Sequence, residues 1–141
     1  MAGIVAEVAD RLWQAEVDRV PINPITDDHP ELGLADAYAI QTHNIERRVG
    51  DGRVIRGRKV GLTSRPMQEL LGVSEPDFGV LLDDMFVEDG DEVPLETMLQ
   101  PRVEAEMAFV IGRELAGPGV TTSNALTAIA GVLPAIEIVD S

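Results

Sequence analysis

Apolar residues recur along this chain with two different periods, and the change of period divides it. Between residues 4 and 20, Ile4, Val5, Val8, Ala9, Leu12, Trp13, Val17 and Val20 fall three and four apart. That spacing predicts one helical face. Pro21 and then Asn23-Pro24 end it. Residues 24–33 contain two Pro, two Asp and a Gly and read as a loop. A second helix is expected over 34–49, with Leu34, Tyr38, Gln41, Ile45 and Val49 as its stripe and Gly50 at its C-cap.

Beyond residue 50 the helical period fades. Arg53 to Arg56 and Arg58 to Gly61 read as short strand segments broken by Gly57. Thr63-Ser64 ahead of Pro66 is a helix N-terminal signature, so a short helix is expected through Leu71, closed by Gly72. Pro76 to Gly79 reads as a turn or loop, and Val80 to Val87 as an apolar stretch interrupted by Asp83-Asp84. Glu88 to Asp91 is a turn, and 94–99 is irregular. Val103 to Ile111 is the clearest strand. Ala125 to Val132 reads as a short helix capped by Thr121, Thr122 or Ser123, and Leu133 to Val139 as a second strong strand. The pattern is α+β: a helical N-terminal region, 1–50, then a β-rich region, 51–141.

Composition narrows the possible functions. The 141 residues are 45% hydrophobic and 4% aromatic, enough for one domain with a core of Leu, Ile, Val and Ala. The net charge is −14 and no basic stripe exists, which argues against a nucleic-acid partner. No apolar run reaches a membrane span, and Glu7 stands where a secretory leader would be basic, so no membrane role is expected and a cytoplasmic location is. Without Cys there are no thiolate ligands or thiol nucleophiles. Lys59 is the only lysine among 11 cationic side chains. Arginine stays charged while a desolvated lysine can lose its proton, so Lys59 is a candidate for proton chemistry. A chance surface lysine is the alternative.

The carboxylates are more specific. On the 103–111 strand, alternation puts Glu104 and Glu106 on one face with Ala108 and Val110. Both faces end apolar, so the strand is expected to be covered on both sides, with two like charges in a partly enclosed space. A hard divalent cation would relieve that conflict. Glu137, alone in the apolar run 135–139, would add a third ligand. The competing reading makes Glu104 and Glu106 the wet face of an edge strand and pairs Glu137 with an arginine. His29 and His43 share no spacing with these acids, and Asp83-Asp84 and Glu88 to Glu92 read as solvated charge. Asp77 sits where a loop could present an acid, though taken alone a Pro-Asp turn is the better explanation.

Four segments in order resemble one known family. Gly57-Arg58-Lys59-Val60-Gly61-Leu62-Thr63-Ser64 resembles the G-x-K-x-G-L-T-S segment of the 2-keto-4-pentenoate hydratases, within the fumarylacetoacetate hydrolase superfamily. Leu71-Gly72-Val73 with Pro76-Asp77-Phe78-Gly79, then Gln100 to Glu106, then Leu133 to Ser141 continue the pattern. The resemblance implies a helical region leading into a mixed β-roll, of which this chain corresponds to the N-terminal portion. It implies a divalent metal, Mg²⁺ or Mn²⁺, on Glu104, Glu106 and Glu137, with Lys59 and Asp77 as catalytic residues. The implied reaction is hydration of 2-hydroxypenta-2,4-dienoate to 4-hydroxy-2-oxopentanoate in meta-cleavage breakdown of aromatic compounds. A homo-oligomer, associated with neighbouring pathway enzymes, is implied as well. The related 4-oxalocrotonate decarboxylases tend to carry an apolar residue and Tyr at Asp77-Phe78, and Pro at Ala105, so both positions favour a hydratase. The alternatives are a decarboxylase of that type and a non-catalytic partner subunit.

Overall fold

The computed structural model describes residues 2–140, which form two compact units that divide between Pro94 and Leu95. The α+β organisation is as expected. Among the described residues, no helix is long and apolar enough to cross a membrane.

The first unit is built on a helix pair. Helix α1 (Ala2–Asp18) ends with Arg19 in the left-handed region, φ 56°, and Val20 N–H reaching back to Ala15 O at 3.0 Å. That is the hydrogen-bond pattern of a helix closed by a left-handed residue. A four-residue helix, α2 (Ile25–Asp28), interrupts the stretch read as loop. Helix α3 (Leu34–Gly50) starts where Asp36 accepts from the Gly33 N–H at 3.0 Å. Val8, Ala9 and Ile40 form the buried core, with Ile4, Val5, Leu12, Ile25 and Leu32 packed around it. Asn44 donates to Ala9 O at 2.8 Å. Arg47 and Arg48 pair with Asp10 and Glu16, and their guanidinium groups stand 4.7 and 5.0 Å from the Trp13 ring centroid. The stripe read for α3 is therefore displaced: Leu34 and Val49 are exposed, and Ile40 carries the contact with α1.

Strand β1 (Ile55–Gly61) pairs antiparallel with β2 (Asp77–Leu82), and α4 (Arg65–Leu71) lies between them in sequence. Ser64 takes the N-cap position of α4, but its side chain makes no cap hydrogen bond. Gly72 closes the helix at φ 70°. Asp77 to Gly79, read as a turn, belong to β2 because they pair with Gly61, Val60 and Lys59. Cross-strand pairing outweighs the local Pro-Asp preference. Asp83 and Asp84 are partnered acids. Asp83 accepts from Val54 N–H at 3.0 Å and returns its own N–H to Val54 O at 2.9 Å, and Asp84 pairs with Arg53 at 3.0 Å.

The second unit is one long ribbon with a short helix. Strand β3 (Pro101–Ile111) pairs antiparallel with β4 (Ile129–Asp140). Helix α5 (Thr122–Ala128) is capped by Thr121, whose hydroxyl accepts from Asn124 N–H at 3.2 Å. The helix read over 125–132 stops at Ala128. Ile129 and Val132 are β-branched, favour extended backbone and pair with Ile111 and Phe109. Both faces of the ribbon are open: Val103 on one is 74% exposed and Leu133 on the other 53%. The expectation of a strand covered on both faces is not met within this unit, where among the described residues β3 and β4 form a two-stranded sheet with no second sheet stacked on it.

Candidate functional site

Register brings the three glutamates together. Glu104 stands directly opposite Glu137, and Glu106 follows two residues along the same face of β3. One carboxylate oxygen from each lies within 4.8 Å of the others. Glu104 and Glu106 are exposed, so the enclosed space expected around them is absent from the second unit. An exposed β3 leaves their carboxylates to water. Glu137 is half-buried, and its Oε2 atom is enclosed by protein. The donor set is all oxygen and anionic, with ligand atoms close enough to share one ion. That suits a hard divalent cation such as Mg²⁺.

Lys59 and Asp77 are arranged by the other hairpin. Lys59 is opposite Gly79 and Asp77 is opposite Gly61. Directly paired residues share a face, and so do residues two apart, so Lys59 and Asp77 project from the same side of the β1–β2 pair. Their two direct cross-strand partners are both glycines.

The turn after β1 is also unusual. Leu62 has φ 52°, a region that non-glycine residues rarely occupy. Gln68 of α4 holds it by donating to Leu62 O at 2.6 Å. On the other side, α3 contacts β2 through Phe78. Tyr38 Oη accepts from the Phe78 N–H at 3.1 Å, and Gln41 donates to Phe78 O at 3.2 Å. The sequence reading did not single out Gly61, Tyr38 or Gln41 as neighbours of Asp77: strand register brings Gly61 to it, and the hydrogen bonds to Phe78 bring Tyr38 and Gln41 near it. His29 lies 3.4 Å from Glu31, and neither His29 nor His43 joins the carboxylate group.

Comparison with known proteins gives this arrangement a context. Residues 47–141 match the family model for the fumarylacetoacetate (FAA) hydrolase C-terminal domain. The chain is 43% identical over 134 residues to a 2-oxo-hept-4-ene-1,7-dioate hydratase of Escherichia coli, covering 95% of this chain and 50% of that protein. It is 48% identical over 135 residues to a 2-keto-4-pentenoate hydratase of Paraburkholderia xenovorans (strain LB400), covering 96% of this chain and 50% of that protein. The chain thus spans about half the length of these relatives. Among solved structures, a 4-oxalocrotonate decarboxylase from Pseudomonas putida G7 complexed with magnesium and adipate superposes with a TM-score of 0.94 at 35% identity. That match covers 100% of this chain and 54% of the decarboxylase. The same decarboxylase has also been solved with calcium and acetate. The matched region takes in β1, β2, the three-glutamate ribbon and two-thirds of the chain, and on that ground the chain belongs to the fumarylacetoacetate hydrolase family.

Proposed function

We propose that this chain provides the metal ligands and proton-transfer groups of a hydratase acting on 2-hydroxypenta-2,4-dienoate. One observation carries the reading: three carboxylates gathered within 4.8 Å by strand register, in a chain 48% identical to a named 2-keto-4-pentenoate hydratase. Residues 51–141 hold the chemical groups, and 1–50 form the helical support. Glu104, Glu106 and Glu137 would hold Mg²⁺ or Mn²⁺. Such an ion supplies Lewis-acid polarisation of a 2-oxo acid.

Lys59 and Asp77 handle protons and water. C5 of the dienoate gains a proton while the C2 hydroxyl gives one up, leaving the conjugated 2-oxo-3-enoate. Water then adds across C3 and C4, its oxygen on C4, to give 4-hydroxy-2-oxopentanoate. A lysine and a carboxylate on one face, each opposite a glycine, form a pair of the kind general acid–base catalysis needs. The reading places the enzyme in the cytoplasm as a homo-oligomer beside enzymes that make and use the dienoate.

The decarboxylase neighbour supports a second reading, release of CO₂ from a 2-oxo acid at the same carboxylates. Asp77-Phe78 and Ala105 weigh against it. Incubating the chain with Mg²⁺ and either the dienoate or 4-oxalocrotonate, with products identified by mass spectrometry, separates the two. Hydration of the dienoate is expected. Release of CO₂ from 4-oxalocrotonate without hydration would overturn the hydratase. A Mn²⁺ titration followed by electron paramagnetic resonance should show binding that Glu106→Ala abolishes. No binding by the unaltered chain would favour a non-catalytic partner subunit.

A further inference from the structure

We infer that Gly61, Tyr38 and Gln41 are positioning residues that together seat the Asp77 carboxylate, an assignment that rests on the hydratase reading of Asp77. The inference begins with Gly61. A Cβ built on Gly61 would lie 3.0 Å from Asp77 Cγ, 3.3 Å from Oδ2 and closer still to Oδ1. The carboxylate therefore lies across the Gly61 backbone, in the volume that any larger residue would fill. Gly61 lacks a left-handed φ, so backbone conformation does not call for glycine there. The space taken by Asp77 does.

The facing pair differs. A Cβ on Gly79 would sit 3.7 Å from Lys59 Cβ, an ordinary contact. The same face thus carries one glycine whose Cβ would displace the Asp77 carboxyl and one whose Cβ would meet only an ordinary contact.

Tyr38 and Gln41 fix the other end of the seat. They lie three apart on α3, which places them on one helix face. One accepts from the Phe78 N–H and the other donates to the Phe78 carbonyl. In an antiparallel pair, the N–H and C=O of one residue point to the same side of its strand. Both groups of Phe78 point away from β1, toward α3. Two side chains thus stand in for a third strand over a single residue, the one next to Asp77. The Tyr38 ring also lies 6.5 Å from the Phe78 ring. The Asp77 carboxyl thus fills the space left open at Gly61, and the residue after it has its N–H and its C=O both fixed by α3.

The test compares Gly61→Ala with Gly79→Ala and with Tyr38→Phe, which keeps the ring and removes the hydroxyl. Each change is also made in an Asp77→Asn background. Two readouts are used: carbon-13 NMR of the Asp77 carboxyl, and hydration of 2-hydroxypenta-2,4-dienoate with Mg²⁺. Gly61→Ala must push the carboxylate by about 1 Å, a displacement that costs about 100-fold in rate when it falls on a catalytic group. The expected result is a moved Asp77 carboxyl signal and a loss of about 100-fold in kcat with KM little changed. Gly79→Ala should stay near wild type. Tyr38→Phe should move the signal and lower kcat less. Neither Gly61→Ala nor Tyr38→Phe should cost anything further once Asp77 is Asn. An unmoved carboxyl signal in Gly61→Ala, or the same rate loss in the Asp77→Asn background, would overturn the seat. If the unaltered chain consumes no dienoate, the hydratase reading fails on that arm, and the carboxyl signal alone decides the seat.

Discussion

Replacing Glu106 with Gln should stabilise the metal-free chain and destabilise the metal-loaded one relative to wild type. Three negative charges gathered within 4.8 Å repel one another unless a cation lies among them. At 4.8 Å, two unit charges in a water-like dielectric repel by about 0.9 kcal/mol. Glu104 and Glu106 are exposed, so the water-like value is the appropriate one. Glu106 takes part in two of the three repulsions, and neutralising it relieves about 1–2 kcal/mol. For a chain of 141 residues that corresponds to a rise of about 3–6 °C in Tm. The screening length at physiological salt is about 8 Å, longer than the separations, so added salt trims the effect without removing it. A cation at about 100 times its Kd adds about 2.7 kcal/mol to wild type and little to the variant. The order of the two melting points should therefore reverse between EDTA and Mg²⁺. Differential scanning calorimetry of both proteins in both buffers measures this directly. If Glu106→Gln melts below wild type in EDTA, the repulsion argument is wrong. If Mg²⁺ raises both proteins equally, the ion binds elsewhere.

Two further outcomes follow from the first unit. Ile40→Ala removes the side chain that α3 buries against Val8 and Ala9, and should cost about 2–5 kcal/mol, read as a lower urea midpoint. The Asp83 carboxyl is held below its ordinary value of 3.8, first by the hydrogen bond from Val54 N–H, with the Arg53 charge assisting. Its contribution to stability is complete above 3.8 and is lost as the pH falls through the lowered folded value. Asp83→Asn should flatten the acid limb of a plot of urea midpoint against pH, and an unchanged acid limb would refute the linkage.

The sequence was most legible where period and pairing agree. Pro66 and Gly72 bracket α4 by their own backbone preferences, and the Val103 to Ile111 run is extended in pattern and in structure. The Glu104, Glu106 and Glu137 cluster could be anticipated because an acid in an apolar strand breaks the pattern around it. What stayed hidden was set by partners distant in sequence. Ile40, Asn44, Arg47 and Arg48 meet α1 on a face whose later positions are polar, so the hydrophobic stripe misses it. Asp77 to Gly79 look like a turn until β1 is laid beside them. The Ala125 to Val132 run reads as one helix because nothing local marks the point where Ile129 finds Ile111. The role of Gly61 is visible only from Asp77, sixteen positions away along the chain.

The β3–β4 ribbon has a consequence for how the chain settles on one structure. A strand with one apolar and one polar face resists slippage, because a slip by one residue would turn the wrong side inward. This ribbon is exposed on both sides, with apolar residues on each, so burial discriminates weakly between neighbouring alignments. The glutamates discriminate strongly. A slip of one residue sends Glu137 to the opposite face from Glu104 and Glu106 and disperses the cluster. Without a cation, charge repulsion rewards that slip; with one bound, it is penalised by the whole binding energy. The ion would then act as a proofreader of strand alignment, and its loss would be felt as misregistered ribbon before it was felt as lost chemistry.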